Sequence, residues 1–453
     1  MQTVQIDLPA KRVNVVTLGC SKNLVDSETL MGLLRRNSIE LVDTADGADA
    51  VIINTCGFID VAKEESVNAI LEAAELKRDG RIGSLYVAGC LSERYAGDLK
   101  TELPEVDAFF GVTDFSNILR TINPNPKHDL LGERYVAPGA RSMYLKISEG
   151  CDNPCSFCAI PLMRGGHVSR PIEDILIEAN HLAMNGVREI ILIAQDLTYY
   201  GLDRYGRREL ATLLEKVANV RGIEWVRLMY AYPAKFPLEI LPVIASEPTI
   251  CKYLDMPIQH VSDVVLKSMR RGMTRRALMK LIETIRAGVP GIALRTTLIV
   301  GYPNEGEREF EELLSFVEEA EFDRLGAFAY SQEENTTAHP LGDPISREVK
   351  EERIARIMEA QRAISARKNE ALIGTRERVL VESEQGGEYI CRSHRDAPEV
   401  DGEVYVTSAT PLTIGEFVEV EYTDSAEYDM FAEAVGGPTA TGLALPQLNV
   451  LAS

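Results

Sequence analysis

Over the first 125 residues, short apolar runs alternate with longer stretches whose apolar residues recur at helical spacing. "RVNVVTLG", "DAVIINT" and "SLYVAG" are rich in β-branched residues and apolar throughout. Runs of that kind read as parallel strands buried on both faces. Between them "VAKEESVNAILEAAELKRDG" carries apolar residues on one helical face, and Gly80 closes it. Strand–helix alternation predicts an α/β doubly wound domain over 11–125, ending at the Pro/Asn-rich linker "RTINPNPKHDL". A second series opens at "MYLKISEG" and continues through "REIILIAQD", "EWVRLMY", "YLDMPIQ", "IALRTTLIV" and "RLGAFAYS", with helical segments between. Six β/α units fall short of the eight of a closed barrel. The expectation is an open, partial (β/α)6 barrel over 137–368, with one charged amphipathic helix at 345–370.

The period then changes from helical to alternating. "ERVLVESEQGGEYICRS", "DGEVYVTS" and "GEFVEVEYTD" are short strands with turn signals. They predict an all-β barrel of about seventy residues over 371–437, followed by an unstructured tail at 438–453. The whole reads as an α/β multidomain protein with an all-β C-terminal module.

Composition narrows the function classes. The 453 residues are 45% hydrophobic and 26% charged, with a formal net charge of −21. An acidic total argues against a general nucleic-acid binder, whose phosphate contacts need basic surface, and favours a basic partner. No apolar run approaches the roughly 20 residues that span a bilayer. The N-terminus also lacks the order of a signal peptide, so no membrane partner and a cytoplasmic location are expected. In that setting eight cysteines point to metal ligands, catalytic groups or core residues rather than disulfides.

Six of the cysteines fall into two sets. Cys151, Cys155 and Cys158 sit in "SEGCDNPCSFCAIPLMRGG" at a strand's carboxyl end, with no fourth cysteine nearby. Three thiolates in a C-x3-C-x2-C loop can hold three irons of a 4Fe–4S cluster, which would leave one iron for a non-protein ligand. Structural zinc with His167 as fourth ligand is the bland alternative. Cys20, Cys56 and Cys90 each follow a predicted strand, in "VVTLGC", "VIINTC" and "LYVAGC". Parallel strands end on one edge of a sheet, so these three should converge on a second metal centre rather than lie as unrelated buried thiols. Cys251 and Cys391 have no matched neighbours and are assigned to packing.

On these residues the chain resembles the radical S-adenosylmethionine superfamily. "GCSKNLVDSE" and "GCDNPCSFCAIPLMRG" resemble the methylthiotransferase family within it, and the last module resembles a TRAM domain. "KNLVDSE" and "AQDLTYYG" are similar to the RimO branch of that family, although Ser21 replaces its usual proline and Leu197 a common threonine. The tRNA-modifying branch usually has Gln-Met-Asn after its first Gly-Cys.

The resemblance implies two 4Fe–4S clusters and S-adenosylmethionine as cofactors. Cys151, Cys155 and Cys158 would serve catalysis by cleaving the cofactor to a 5′-deoxyadenosyl radical. Cys20, Cys56 and Cys90 would hold the cluster from which a methylthio group passes to the β-carbon of an aspartate. Gln195 and Asp196 would bond the cofactor or substrate, Arg295 would pair with the methionine carboxylate, and Gly301 would turn the strand "LRTTLIVGYPNEGE" at the adenosine pocket. The last two features also fit an ordinary strand and turn. The basic run "MRRGMTRR" at 269–276 reads as a solvated helix end.

Implied partners are small-subunit ribosomal protein twelve as substrate and a flavodoxin or ferredoxin as electron donor. The competing substrate is an adenosine of tRNA; a non-catalytic metal scaffold is the competing class. Residues 371–437 hold four basic and fifteen acidic residues. That balance suits a basic protein better than tRNA, with Glu382, Glu384, Glu399 and Glu403 as contact residues.

Overall fold

A computed structural model describes residues 11–127 and 134–435. It divides into two compact units, residues 1–360 and 361–453. The tail expected at 438–453, and the last two residues of the expected β-module, lie outside the described residues.

The first unit opens with a five-stranded parallel sheet of β1 (Arg12–Thr17), β2 (Glu40–Leu41), β3 (Ala50–Thr55), β4 (Ser84–Gly89) and β5 (Ala108–Phe109), in the order β2-β1-β3-β4-β5. Every residue of β3 is buried, as both-face coverage demands. One apolar layer joins Val13, Ile52 and Tyr86 to Leu30, Leu33 and Leu34 of helix Ser21–Arg36. The opposite layer joins Val51, Ile53 and Val87 to Ile70, Ala73 and Ala74 of helix Asp60–Arg78. The sheet is thus doubly wound, as expected. The two-residue strands β2 and β5 are additions that periodicity cannot register.

The second sheet is wholly parallel and begins with β6 (Ser142–Lys146). A small antiparallel pair, β7 (Ser148–Glu149) and β8 (Val168–Ser169), follows it. Then come β9 (Glu189–Ile193), β10 (Trp225–Leu228), β11 (Ile250–Asp255), β12 (Ala293–Val300) and β13 (Arg324–Ala329). The barrel order is β13-β12-β11-β10-β9-β6, six strands in sequence order and not closed. Helix Arg347–Glu370 follows.

In the second unit, β14 (Arg376–Gln385), β15 (Glu388–Ser393), β16 (Val404–Thr407), β17 (Phe417–Ser425) and β18 (Met430–Ala434) form a closed barrel. Gly386 and Gly387, with φ of 63° and 93°, make the two-residue turn between β14 and β15, a conformation that favours glycine. Strand β18, "MFAEA", escapes a sequence reading because alanine and glutamate are poor strand formers. Its pairing with β16 and β17 decides its state. Cys251 and Cys391 are buried within β11 and β15.

Candidate active site

The sheet order makes β1, β3 and β4 neighbours, so their carboxyl ends share one edge. Cys20 caps helix Ser21–Arg36, Cys56 follows β3, and Cys90 begins helix Cys90–Glu102. The turns that carry them are packed on one another. Gly19 has φ +88°, and a Cβ there would fall 2.6 Å from Cβ of Cys56. Asn23 Nδ2 donates to the carbonyls of Leu18 and Thr55 at 2.8 and 3.0 Å, tying the first turn to the second. Ser66 Oγ takes the Cys56 N–H at 3.0 Å and donates to the Cys56 carbonyl at 3.0 Å.

Cys151, Cys155 and Cys158 lie in one loop beyond β7. Gly150 has φ +69°, and a Cβ there would meet the Gly166 carbonyl at 2.0 Å, so only glycine fits. The Cys151 N–H bonds the Gly165 carbonyl at 3.1 Å. Side chains from elsewhere reach the sulfurs. Asn153 Nδ2 lies 3.5 Å from Cys151 Sγ and donates to Asp196 at 2.8 Å. Arg271 Nη1 lies 3.2 Å from Cys155 Sγ, while its Nη2 bonds the Pro257 carbonyl at 2.6 Å and its guanidinium stacks on Tyr232. Arg271 belongs to the basic run expected to be a solvated helix end. That reading is corrected: Arg271 is buried, and it is buried against a cysteine of this loop.

All six cysteines line one cavity of about 330 Å³. Its walls are largely apolar, with Phe58, Phe157, Ile160 and Met163 among them. Burial pushes the thiols of Cys90 and Cys158 up to about 12 and that of Cys151 up to about 11. Cys56 is also raised by burial. Clustered soft donors that resist ionisation on their own suit a bound cationic centre, whose charge deprotonates them. Among the described residues no three His, Cys, Asp or Glu side chains are already drawn together closely enough to hold one metal ion. His167 does not line the cavity; it is buried, bonding Ser169 Oγ at 3.1 Å and packing on Tyr199.

The other expected contact residues divide. Gln195 lines the cavity, with Nε2 on Glu149 at 3.2 Å and a buried Oε1 that has no partner among the described residues. Asp196 is not on the wall. Its carboxylate takes the Thr198 N–H, the Thr198 hydroxyl and Asn153 Nδ2, so it steadies Asn153 instead. Arg295 is also behind the wall, on Asp255 at 3.0 Å, and Asp255 in turn takes the Tyr230 N–H. Gly301 packs on Lys350, where a Cβ would come within 2.4 Å of its side chain. Residues that motif reasoning missed complete the wall: Lys22, Asn153, Tyr230, Tyr232, Gln259 and Arg271. Tyr230 and Gln259 have φ of 70° and 72°, an uncommon state for such side chains that clusters at functional sites. The Gln259 Oε1 is a second buried acceptor without a partner among the described residues.

A buried polar junction lies beside the cavity. Arg164 Nη2 donates to Asn23 and Asp26 at 2.6 and 2.9 Å, and its Nη1 to Glu149 at 2.9 Å. Lys146 bonds both Asp26 and Glu149. Burial works against the Glu149 carboxylate, yet Lys146 and Arg164 outweigh it and hold its pKa near about 2. Cys90, Val112, Ala159 and Met163 supply an apolar contact alongside. The two cysteine sets are therefore held in register by both charge and packing.

The six-stranded parallel barrel, with its three-cysteine loop at the strands' carboxyl edge, defines a radical S-adenosylmethionine protein. Residues 145–317 match the family described as the radical SAM superfamily, 12–111 match an uncharacterized protein family, UPF0004, and 373–435 match the TRAM domain. A solved methyltransferase of this superfamily, TsrM from Kitasatospora setae, shares the fold at a TM-score of 0.54 and 13% identity, over 73% of this chain and 77% of its own. Full-length relatives are much nearer. The ribosomal protein uS12 methylthiotransferase RimO of Cytophaga hutchinsonii is 53% identical, covering 94% of this chain and 98% of its own. Those of Christiangramia forsetii and Chloroherpeton thalassium are each 51% identical, over 95% and 94% of this chain and 96% and 98% of their own. The chain belongs to the RimO family of radical S-adenosylmethionine methylthiotransferases. Among the described residues no helix is long and apolar enough to cross a membrane.

Proposed function

We propose that this protein places a methylthio group on the β-carbon of an aspartate in small-subunit ribosomal protein twelve. The observation that carries the reading is the meeting of two three-cysteine sets, from two different sheets, on one apolar cavity. An aspartate β-C–H is too weakly acidic for an ordinary base, so the reaction needs a radical, and the cofactor carries that chemistry. When bound, the clusters on Cys151, Cys155 and Cys158 and on Cys20, Cys56 and Cys90 supply, respectively, reductive cleavage of S-adenosylmethionine and a carrier for the sulfur.

The chain's own residues hold and exclude. Arg271 and Asn153 orient the loop sulfurs. The unpaired acceptors of Gln195 and Gln259 suit the amino groups of a bound S-adenosylmethionine, since buried polar atoms ordinarily have partners. Phe58, Phe157 and Met163 keep water from a radical. Asp196 and Arg295 act on this wall from behind, through Asn153 and, by way of Asp255, the Tyr230 backbone, while Gly301 turns the chain after β12 against Lys350.

We assign the three domains to 11–125, 137–368 and 371–437, a cytoplasmic location, and a flavodoxin or ferredoxin as the electron source. The family assignment favours the ribosomal protein over tRNA, and the acidic surface of the last module agrees with that choice. Glu382, Glu384, Glu399 and Glu403 are all exposed there, with Glu382 also bonded by Arg392 and Glu403 by the Tyr405 hydroxyl.

Mass spectrometry of small-subunit ribosomal proteins, from cells with and without the protein, tests the reading. Protein twelve should gain one methylthio group in place of hydrogen only when the protein is present. The same modification on tRNA, with protein twelve unchanged, would transfer the assignment to the adenosine substrate.

A further inference from the structure

Three cations line the cavity: Lys22, Arg164 and Arg271. Two are committed. Arg164 is bound to Asp26, Glu149 and Asn23, and Arg271 to Pro257, Tyr232 and Cys155. Lys22 differs. It is only 7% exposed, yet among the described residues its ammonium has no hydrogen bond and no ion pair. It rests on the ring face of Tyr230, 3.0 Å from the centroid. A carboxylate within its electrostatic reach, Asp255, is already bonded by Arg295 and the Tyr230 N–H. The side chain is buried while its ammonium faces the cavity with its donors unused, and a cation–π contact answers only part of its charge. Such a group, at the wall of a cavity, is a site for an anion that arrives with a ligand.

We infer that Lys22 binds the carboxylate of the aspartate side chain that is modified, and so selects an acidic substrate. The inference rests on the proposed function. Geometry supports the choice of anion. Lys22 is two residues from Cys20, on the helix that Cys20 caps, while Tyr230 belongs to the barrel that carries the other cysteines. A carboxylate gripped there sits where the two sets meet. The β-carbon of aspartate is bonded directly to its carboxylate carbon, so holding one fixes the other to within one bond, which is what positioning catalysis requires. The cofactor's own carboxylate has the same chemistry and is the other source of an anion.

The test uses iron-loaded full-length protein, wild type and Lys22→Met, with ribosomal protein twelve carrying either the target aspartate or asparagine in its place. Methionine keeps length and volume and removes the charge. Methylthio transfer and the affinity for S-adenosylmethionine are measured separately. Wild type should favour aspartate over asparagine by about thirty-fold or more, the size expected for a buried charge pair. Lys22→Met should lose that preference, chiefly through a higher KM, with cofactor affinity unchanged. Lys22→Arg should keep the preference, which separates loss of charge from loss of packing. An undiminished preference in Lys22→Met overturns the inference, and so does a fall in cofactor affinity with the preference intact, which would assign Lys22 to the cofactor. Wild-type protein that modifies no aspartate would overturn the proposed function itself.

Discussion

The two cysteine sets face one cavity but are built in opposite ways. Cys151, Cys155 and Cys158 lie within eight consecutive residues, and their geometry follows from one loop pinned by Gly150. Cys20, Cys56 and Cys90 span seventy-one residues and meet only because β1, β3 and β4 are neighbours in a parallel sheet. The local set needs a correct loop; the distributed set needs a whole correct domain, docked correctly on the barrel. The docking is polar and buried: Asp26 and Asn23 on Arg164, Asp26 on Lys146, and Glu28 on Arg134. The distributed set should therefore be the more sensitive to changes remote from its sulfurs.

Four changes would break or sharpen that comparison. Replacing Cys151, Cys155 and Cys158 by alanine has the largest expected effect, a fall of 5′-deoxyadenosine formation to background, and with it all methylthio transfer. Chromatographic detection of 5′-deoxyadenosine checks it. Replacing Cys20, Cys56 and Cys90 should stop transfer while cofactor cleavage continues. Methylthiolated product from that triple variant would remove the distributed set from the sulfur path.

The third change is Asp26→Asn, which leaves Lys146 and Arg164 with Glu149 as their shared anion. Breaking a buried ion network of this kind costs about 3 kcal/mol or more, seen as a lower urea midpoint. Iron analysis should show the distributed set losing metal before the local one; equal loss from both would contradict the contrast.

The smallest effect concerns Glu28. Burial pushes its carboxyl from 4.5 up to about 7, against the pull of Arg134. A raised carboxyl binds more protons folded than unfolded, so stability is highest below about pH 4.5 and falls as pH rises towards 7. The full span is roughly 3 kcal/mol at the extreme. Glu28→Gln should flatten unfolding midpoints over that window, and an unchanged slope would show that Glu28 is not the titrating group.

Much of the architecture was legible in the chain. All six barrel strands, three strands of the first sheet and the three-cysteine loop are local patterns: β-branched runs, helical spacing, glycine at a turn, sulfur at fixed intervals. Local steric and solvation preferences suffice for each, and strand-end positions even foretold the convergence of Cys20, Cys56 and Cys90, because parallel strands share an edge. The cavity wall was not legible. Lys22 reads as one more helix lysine, and Arg271 as part of a solvated basic run, until the fold buries them on Tyr230 and Tyr232. Asp196 and Arg295 carry the right chemistry for direct contact, but their side chains are spent on Asn153 and Asp255. Which polar group faces a cavity and which supports it from behind depends on partners scores of residues away. No local preference encodes that, so the tertiary structure decides it.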